Sequence, residues 1–219
     1  MRRMSWLSVF FLPLTAMAVK YGPDINRKCP RCGEQFRERQ IMSGNTVGAV
    51  YWTDGKVEAP MLPAQRLLVK CSKCKELVWV PDAEKVAEVK DPRLRVASPS
   101  AVSANDLLAA AAVSSHDPDK ERYLRTMAWW SRNDQVRVGN AVGKVWTTAQ
   151  RENVLRLIEL LDGTLSENRL TRAEIYRELG DFVSALRELN EPFPKEYSAF
   201  AEKLRKLIEM KKREVEVLR

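Results

Sequence analysis

Apolar positions follow two periods along the chain, and the change falls near residue 103. Before it they come in short runs broken by turn-forming residues. Gln35 to Ile41 reads as a strand and Ser43-Gly44-Asn45-Thr46 as a turn. Ala49-Val50-Tyr51-Trp52 and Lys56-Val57-Glu58 flank Thr53-Asp54-Gly55, and Asp-Gly between β-prone residues signals a hairpin. Ala59-Pro60-Met61-Leu62-Pro63 interrupts the ladder, because proline has no N–H to donate. Leu67-Leu68-Val69-Lys70 and Leu77-Val78-Trp79-Val80 are further strands.

After residue 103 the period becomes helical. Ser103 and Asp106 make a capping box before Leu107, and Asp117-Pro118 can start a second helix carrying Tyr123, Leu124, Met127, Ala128 and Trp130. Thr147 with Gln150 caps a third, whose apolar face is Val154, Leu157, Ile158 and Leu161. Ser166 is expected to cap a fourth, with Leu170, Ala173, Tyr176 and Leu179 inward and Gly180 as its stop. Phe182, Ala185, Leu186 and Leu189 give a short partner helix. Tyr197, Phe200, Leu204, Leu207 and Ile208 give the last helix, and Val215 and Val217 an extended tail. Short amphipathic helices with short turns fit antiparallel pairs.

The expected class is therefore α+β, a small β unit at 19–81 followed by an all-α region at 103–219. Residues 82–102, with Asp91-Pro92 and Ser98-Pro99-Ser100, read as a linker. Residues 1–18 stand outside the fold. Arg2 and Arg3 precede an apolar run from Trp6 to Leu14, and Ala16-Met17-Ala18 has the form of a signal-peptidase site. Met17 is equally readable as the true start. The run is too short for a stable membrane span. The two readings place the protein in the cytoplasm or, with a genuine signal peptide, outside it.

The chemistry sits in the cysteines. The only four in 219 residues form two pairs, Cys29-Pro-Arg-Cys32 and Cys71-Ser-Lys-Cys74. Each CxxC turn aims two sulfurs at one point, and Gly33 tolerates the positive φ such a turn often needs. Four soft ligands at this spacing select one structural zinc ion, with iron next in order. A four-thiolate zinc site also suits a reducing compartment, whereas export would bring disulfides into competition. Redox-active dithiols would call for a βαβ context that the pattern lacks.

Strand, knuckle, strand, with Cys29-Pro-Arg-Cys32-Gly33 facing Cys71-Ser-Lys-Cys74, resembles a zinc ribbon. The stretch from Ala173 to Leu186, with Gly180-Asp181-Phe182 at its turn, resembles the middle of a tetratricopeptide repeat, although the upstream Trp and Leu-Gly of that pattern are missing. The whole layout is similar to uncharacterised bacterial proteins with a four-cysteine ribbon and a tetratricopeptide-like region. The resemblance implies a shape and no activity.

Catalytic groups are few. The single histidine, His116, lies in a polar break with no nucleophile or orienting group nearby in sequence. Gly139 to Val145 departs from a phosphate loop in spacing and in its missing Ser or Thr. Four cysteines would also fill a zinc ion's coordination sphere, leaving no position for a reacting water. The expectation is a non-enzymatic zinc protein that serves as a protein-interaction or scaffolding module. Candidate recognition residues are Asn45, Tyr51 and Trp52 on the insert and Trp129 and Arg132 in the Trp-Trp-Ser-Arg helix. The net charge of +8 leaves a second reading, nucleic-acid binding through Arg31, Arg37, Arg39, Lys56, Lys70 and Lys73. The charge forms no dense run, and local compensation of an anionic zinc–thiolate cluster explains the bases beside the knuckles.

Overall fold

The computed structural model describes residues 19–88, 99–140 and 145–218. The leader reading of 1–18, residues 89–98 of the expected linker and the centre of the Gly139–Val145 stretch lie outside them. The chain is α+β, with small antiparallel sheets in its N-terminal half and, among the described residues, six helices in its C-terminal half. No described helix is long and apolar enough to cross a membrane.

Two hairpins carry the knuckles. β2 (Ile25–Lys28) runs through the first knuckle into β3 (Gln35–Glu38), with Lys28 opposite Gln35. β7 (Leu68–Lys70) runs through the second into β8 (Leu77–Trp79), with Lys70 opposite Leu77. Phe36, Val69, Val78, Val80 and Ala83 bury themselves around Cys29 and Cys71. The first sheet gains a third strand, β9 (Glu84–Glu88), on the free edge of β2. This strand lies in the stretch expected as linker. Its sequence, Glu-Lys-Val-Ala-Glu, suits a charged edge strand better than a core one.

The insert between the knuckles holds two more pairings. β1 (Lys20–Tyr21) pairs with β4 (Ile41–Ser43), and β5 (Val50–Tyr51) pairs with β6 (Val57–Glu58) around the expected Asp54-Gly55 turn. The extended C-terminal tail then adds itself to β5. Trp52 bridges Val217, the Thr53 N–H donates to the Glu216 carbonyl at 2.9 Å, and the Leu218 N–H donates to the Tyr51 carbonyl at 2.7 Å.

The helices begin where the caps place them. Ser103 and Asp106 form a capping box on α1 (Ala104–Val113), and Asp117 with Pro118 starts α2 (Pro118–Arg137). Thr147 and Gln150 cap α3 (Thr148–Leu160). Gly180 ends α4 (Ser166–Leu179) with φ of 85°, and Asp181 at once caps α5 (Phe182–Glu188). Ser166 is the first helical residue instead of the cap, because hydrogen bonds from Thr164 to Asp162 set the preceding turn and leave Leu165 at the N-cap. α4 and α5 lie back to back, with Arg172 reaching Glu188 at 2.8 Å. α6 (Lys195–Glu209) closes their core through Leu204, Leu207 and Ile208.

The two halves share a core. Leu68 and Trp79 of the second knuckle hairpin pack on Leu107, Ala111, Leu124 and Ala128 of α1 and α2. Beside them Lys70 donates to both oxygens of Asp106, at 2.8 and 2.9 Å.

Candidate metal centre and its coupling to the helices

Each knuckle is built by the same two backbone hydrogen bonds. The Cys29 N–H donates to the Glu34 carbonyl at 2.8 Å and the Gly33 N–H to the Cys29 carbonyl at 3.0 Å. The Cys71 N–H donates to the Glu76 carbonyl at 2.8 Å and the Lys75 N–H to the Cys71 carbonyl at 3.1 Å. The turn requires a left-handed residue after the second cysteine. Gly33 supplies it at φ 74°, but Lys75 takes φ 63° despite its side chain. Left-handed backbone costs an L-residue about 1–2 kcal/mol. The second knuckle accepts that cost, and Lys75 Nζ returns a hydrogen bond to the Ser72 carbonyl at 2.6 Å.

The knuckles face each other, so the sulfurs converge. Cys29 Sγ lies 3.7 Å from Cys74 Sγ, Cys32 Sγ lies 3.6 Å from Cys71 Sγ, and all four fall within 4.8 Å of one another. All four thiols are free. A tetrahedral zinc with Zn–S near 2.3 Å would set its sulfurs about 3.8 Å apart. Two of the sulfur pairs already stand at that spacing, and the cluster is compact enough to hold such an ion. Cys29 and Cys71 are buried, and Cys32 and Cys74 reach solvent in part.

Proton affinities within the cluster diverge. Burial raises Cys71, but the Cys74 and Lys73 N–H groups and the neighbouring thiols outweigh it and bring Cys71 down to about 7. At Cys74 the Glu76 N–H lowers the thiol, while burial and the other three sulfurs push it up to about 12. Four thiolates cannot share one point without a cation among them. A divalent metal would supply it.

Several basic residues of this half have acidic neighbours. Arg31 pairs with Glu76 at 3.1 Å, Arg37 and Arg39 lie 3.6 and 3.7 Å from Asp24, and Lys56 pairs with Glu58 at 3.2 Å. Lys28 lies 3.7 Å from Glu84. With Lys70 on Asp106, five of the six bases proposed for nucleic acid are ion-paired within the chain. Carboxylates of the same chain, and not the cysteine cluster, are the partners of these bases.

Of the recognition residues, Trp129 and Arg132 are not on the surface. Trp129 is 1% exposed and donates from Nε1 to Glu178 Oε2 at 3.0 Å. Arg132 is 5% exposed, stacks 3.9 Å from the Trp146 ring and faces Asn133 and Glu178. The expected division of labour between the tryptophans is reversed. Trp129 enters the core with Val154, Leu157 and Ile175, and Trp130 reaches over the insert, donating to the Asp54 carbonyl at 3.0 Å. Asp134 bonds Arg137 at 2.6 Å. Asn45 is half-buried, and its Oδ1 accepts from the Val47 N–H at 2.9 Å within its own turn. Tyr51 and Trp52 are half-buried along the tail, with Arg137 4.8 Å over the Trp52 ring.

The residue that sequence reasoning missed is Asp54. Its place before Gly55 marks a turn, but it is 3% exposed and its carboxylate holds the insert to the helices. Asn133 Nδ2 donates to it at 2.9 Å, the Lys56 N–H at 3.1 Å, and Arg137 Nη2 closes the pair. Asn133 Nδ2 also reaches Glu178 at 2.9 Å, joining Asp54 to the C-terminal end of α4. Next along α4, Arg177 binds Glu174 at 2.6 and 2.7 Å and donates to the Lys212 and Glu214 carbonyls of the tail. Burial raises the Asp54 carboxyl against the lowering effect of Arg137. Burial, with Glu174 and Asp54 nearby, raises Glu178 to about 8. An Asp-Gly turn flanked by aromatics gave no sign of this, because every helical partner lies far along the chain.

No protein-family model, curated protein or solved structure matches the chain. The functional reading therefore rests on the site.

Proposed function

We propose that residues 19–81 form a zinc ribbon stapled by one structural zinc ion on Cys29, Cys32, Cys71 and Cys74. In this reading the helical half is a tetratricopeptide-like array, and the protein is a non-enzymatic interaction or scaffolding module. The carrying observation is the closed cluster of four sulfurs within 4.8 Å of one another. Four thiolates complete a tetrahedron and leave no site for substrate or water. The metal's work is then structural, tying together hairpins whose shared core is only a few side chains. Nucleic-acid binding is the less supported alternative, since the bases it would use have carboxylate neighbours. Thiolate ligation also favours a reducing compartment, the cytoplasm.

The test is metal content with intact mass, on protein expressed from Met1 where export is functional. One zinc per chain is expected, lost in Cys29→Ser and Cys74→Ser. Unchanged zinc in either variant refutes the ligand set. A mass beginning at Val19, with no metal and four oxidised cysteines, refutes the cytoplasmic ribbon. Polynucleotide titration at low salt decides the alternative, because backbone binding must weaken steeply as salt rises.

A further inference from the structure

Where α2, the end of α4 and the C-terminal tail meet, they enclose a small polar pocket. Its volume is about 130 Å³, room for about four waters. Arg132 and Val136 of α2, Glu178 of α4, and Arg213 and Glu214 of the tail line it. None of these side chains belongs to the metal centre. The walls are held in place. Arg177 grips the Lys212 and Glu214 carbonyls on either side of Arg213, and Arg213 Nε donates to the Glu178 carbonyl at 3.2 Å. Trp146 stacks 3.9 Å from the Arg132 guanidinium and sets its plane.

Arg132 is the group that the fold does not account for. Both of its acceptors within the chain, Asn133 Oδ1 at 2.8 Å and Glu178 Oε2 at 3.4 Å, lie on Nη1. Nε, on the other edge of the guanidinium, is buried without a hydrogen-bond partner. A buried donor left unpaired is costly, and in a native fold it points to a ligand or a water. The Nε–Nη2 edge is the fork that takes two oxygens of one anion side by side. Arg213, an exposed residue, bonds the chain through Nε alone.

We propose that this pocket binds a small aliphatic carboxylate, its oxygens on the Nε–Nη2 edge of Arg132, its charge shared with Arg213 and its alkyl end against Val136. Charge balance selects the class. Two guanidiniums face the carboxyl groups of Glu214 and Glu178. Glu178, raised to about 8 by burial with Glu174 and Asp54 nearby, is mostly protonated at neutral pH. One positive charge is left over. A monoanion neutralises it, whereas a phosphate dianion overshoots. The volume admits a carboxylate with a short alkyl chain and little more. Bound there, the ligand ties α2 to the tail. The site is separate from the metal centre and from the interaction reading.

The test titrates the full-length, zinc-loaded protein with sodium propionate by calorimetry, with inorganic phosphate as the second probe and sodium chloride at matched ionic strength as the blank. Wild type is compared with Arg132→Lys, Arg213→Gln and the control Arg151→Gln, an exposed arginine of α3. Arg132→Lys keeps the charge and removes the fork. Arg213→Gln alters an exposed residue and so carries the test if Arg132→Lys fails to fold. Saturable propionate binding is expected, weakened at least tenfold in both pocket variants and unchanged in the control. In nitrogen-15 spectra, the arginine Nε–H resonance that Arg132→Lys abolishes should shift as propionate is added to wild type. Equal binding by all four proteins overturns the site. Phosphate binding more tightly than propionate overturns the carboxylate. Saturable binding of neither anion overturns the proposal, Arg132 Nε then being satisfied by water. Under every outcome the metal-centre and interaction readings keep their own tests.

Discussion

Removing the Asp54 carboxylate is the sharpest test of how the two halves are joined. In Asp54→Ala, Arg137 loses the buried partner that its 5% exposed side chain faces. Asn133 Nδ2 and the Lys56 N–H each lose an acceptor. Deleting one member of a buried pair costs about 3–5 kcal/mol, because the survivor keeps its desolvation penalty. Burial already raises the Asp54 carboxyl, so the pair is imperfectly compensated and the lower end, about 3 kcal/mol, is expected. For a chain of this size that is a fall in Tm of about 6–12 °C. The assay is urea and thermal unfolding at saturating zinc, run as a double-mutant cycle with Arg137→Met. If the pair is the lock, the double variant recovers part of the loss, with a coupling of about 1–3 kcal/mol. A loss below about 1 kcal/mol in Asp54→Ala, or single effects that simply add, would refute the reasoning. Hydrogen exchange should rise at 50–58 and 214–218 together, since both segments hang on this contact.

Glu178 predicts a pH effect of defined sign. Its carboxyl is raised from 4.5 to about 8, so across that window the folded chain binds a proton the unfolded chain lacks. Stability from this group is fully present below 4.5 and is lost as pH rises through about 8. At saturating zinc, Tm should therefore fall from pH 6 to 8.5, and Glu178→Gln should flatten that slope; equal slopes would remove Glu178 as the cause. Lys75→Gly relieves left-handed strain of about 1–2 kcal/mol against an entropy cost of about 0.5–1 kcal/mol. A gain in Tm of a few degrees is expected, and a loss would mean that the Lys75 hydrogen bond to Ser72 matters more than its backbone.

What was legible in the sequence is what is decided locally. Cys29, Cys32, Cys71 and Cys74 announce themselves because ligand geometry lives in four-residue turns. Ser103, Asp117, Thr147 and Gly180 mark helix ends because caps satisfy backbone groups one turn away. What was illegible is decided at a distance. Trp129 and Trp130 are adjacent on one helix, and only the positions of α3, α4 and the insert determine which enters the core. β9 hid because an edge strand needs no apolar alternation. Asp54 hid because aspartate before glycine is sufficiently explained by the turn it makes.

The tail on β5 also bears on how the protein is made. Glu216 bonds Thr53 across 163 residues, and Asn133 meets Asp54 across 79. A chain leaving the ribosome presents both cysteine pairs early, and metal can close them while the helices are still unmade. The Asp54 hairpin has no such option. Its carboxylate waits for α2, and its strand edge waits for residues 216–218. Synthesis of that segment is thus the step at which the hairpin becomes complete, and a nascent chain stalled short of residue 212 would carry both cysteine knuckles beside an unfinished hairpin.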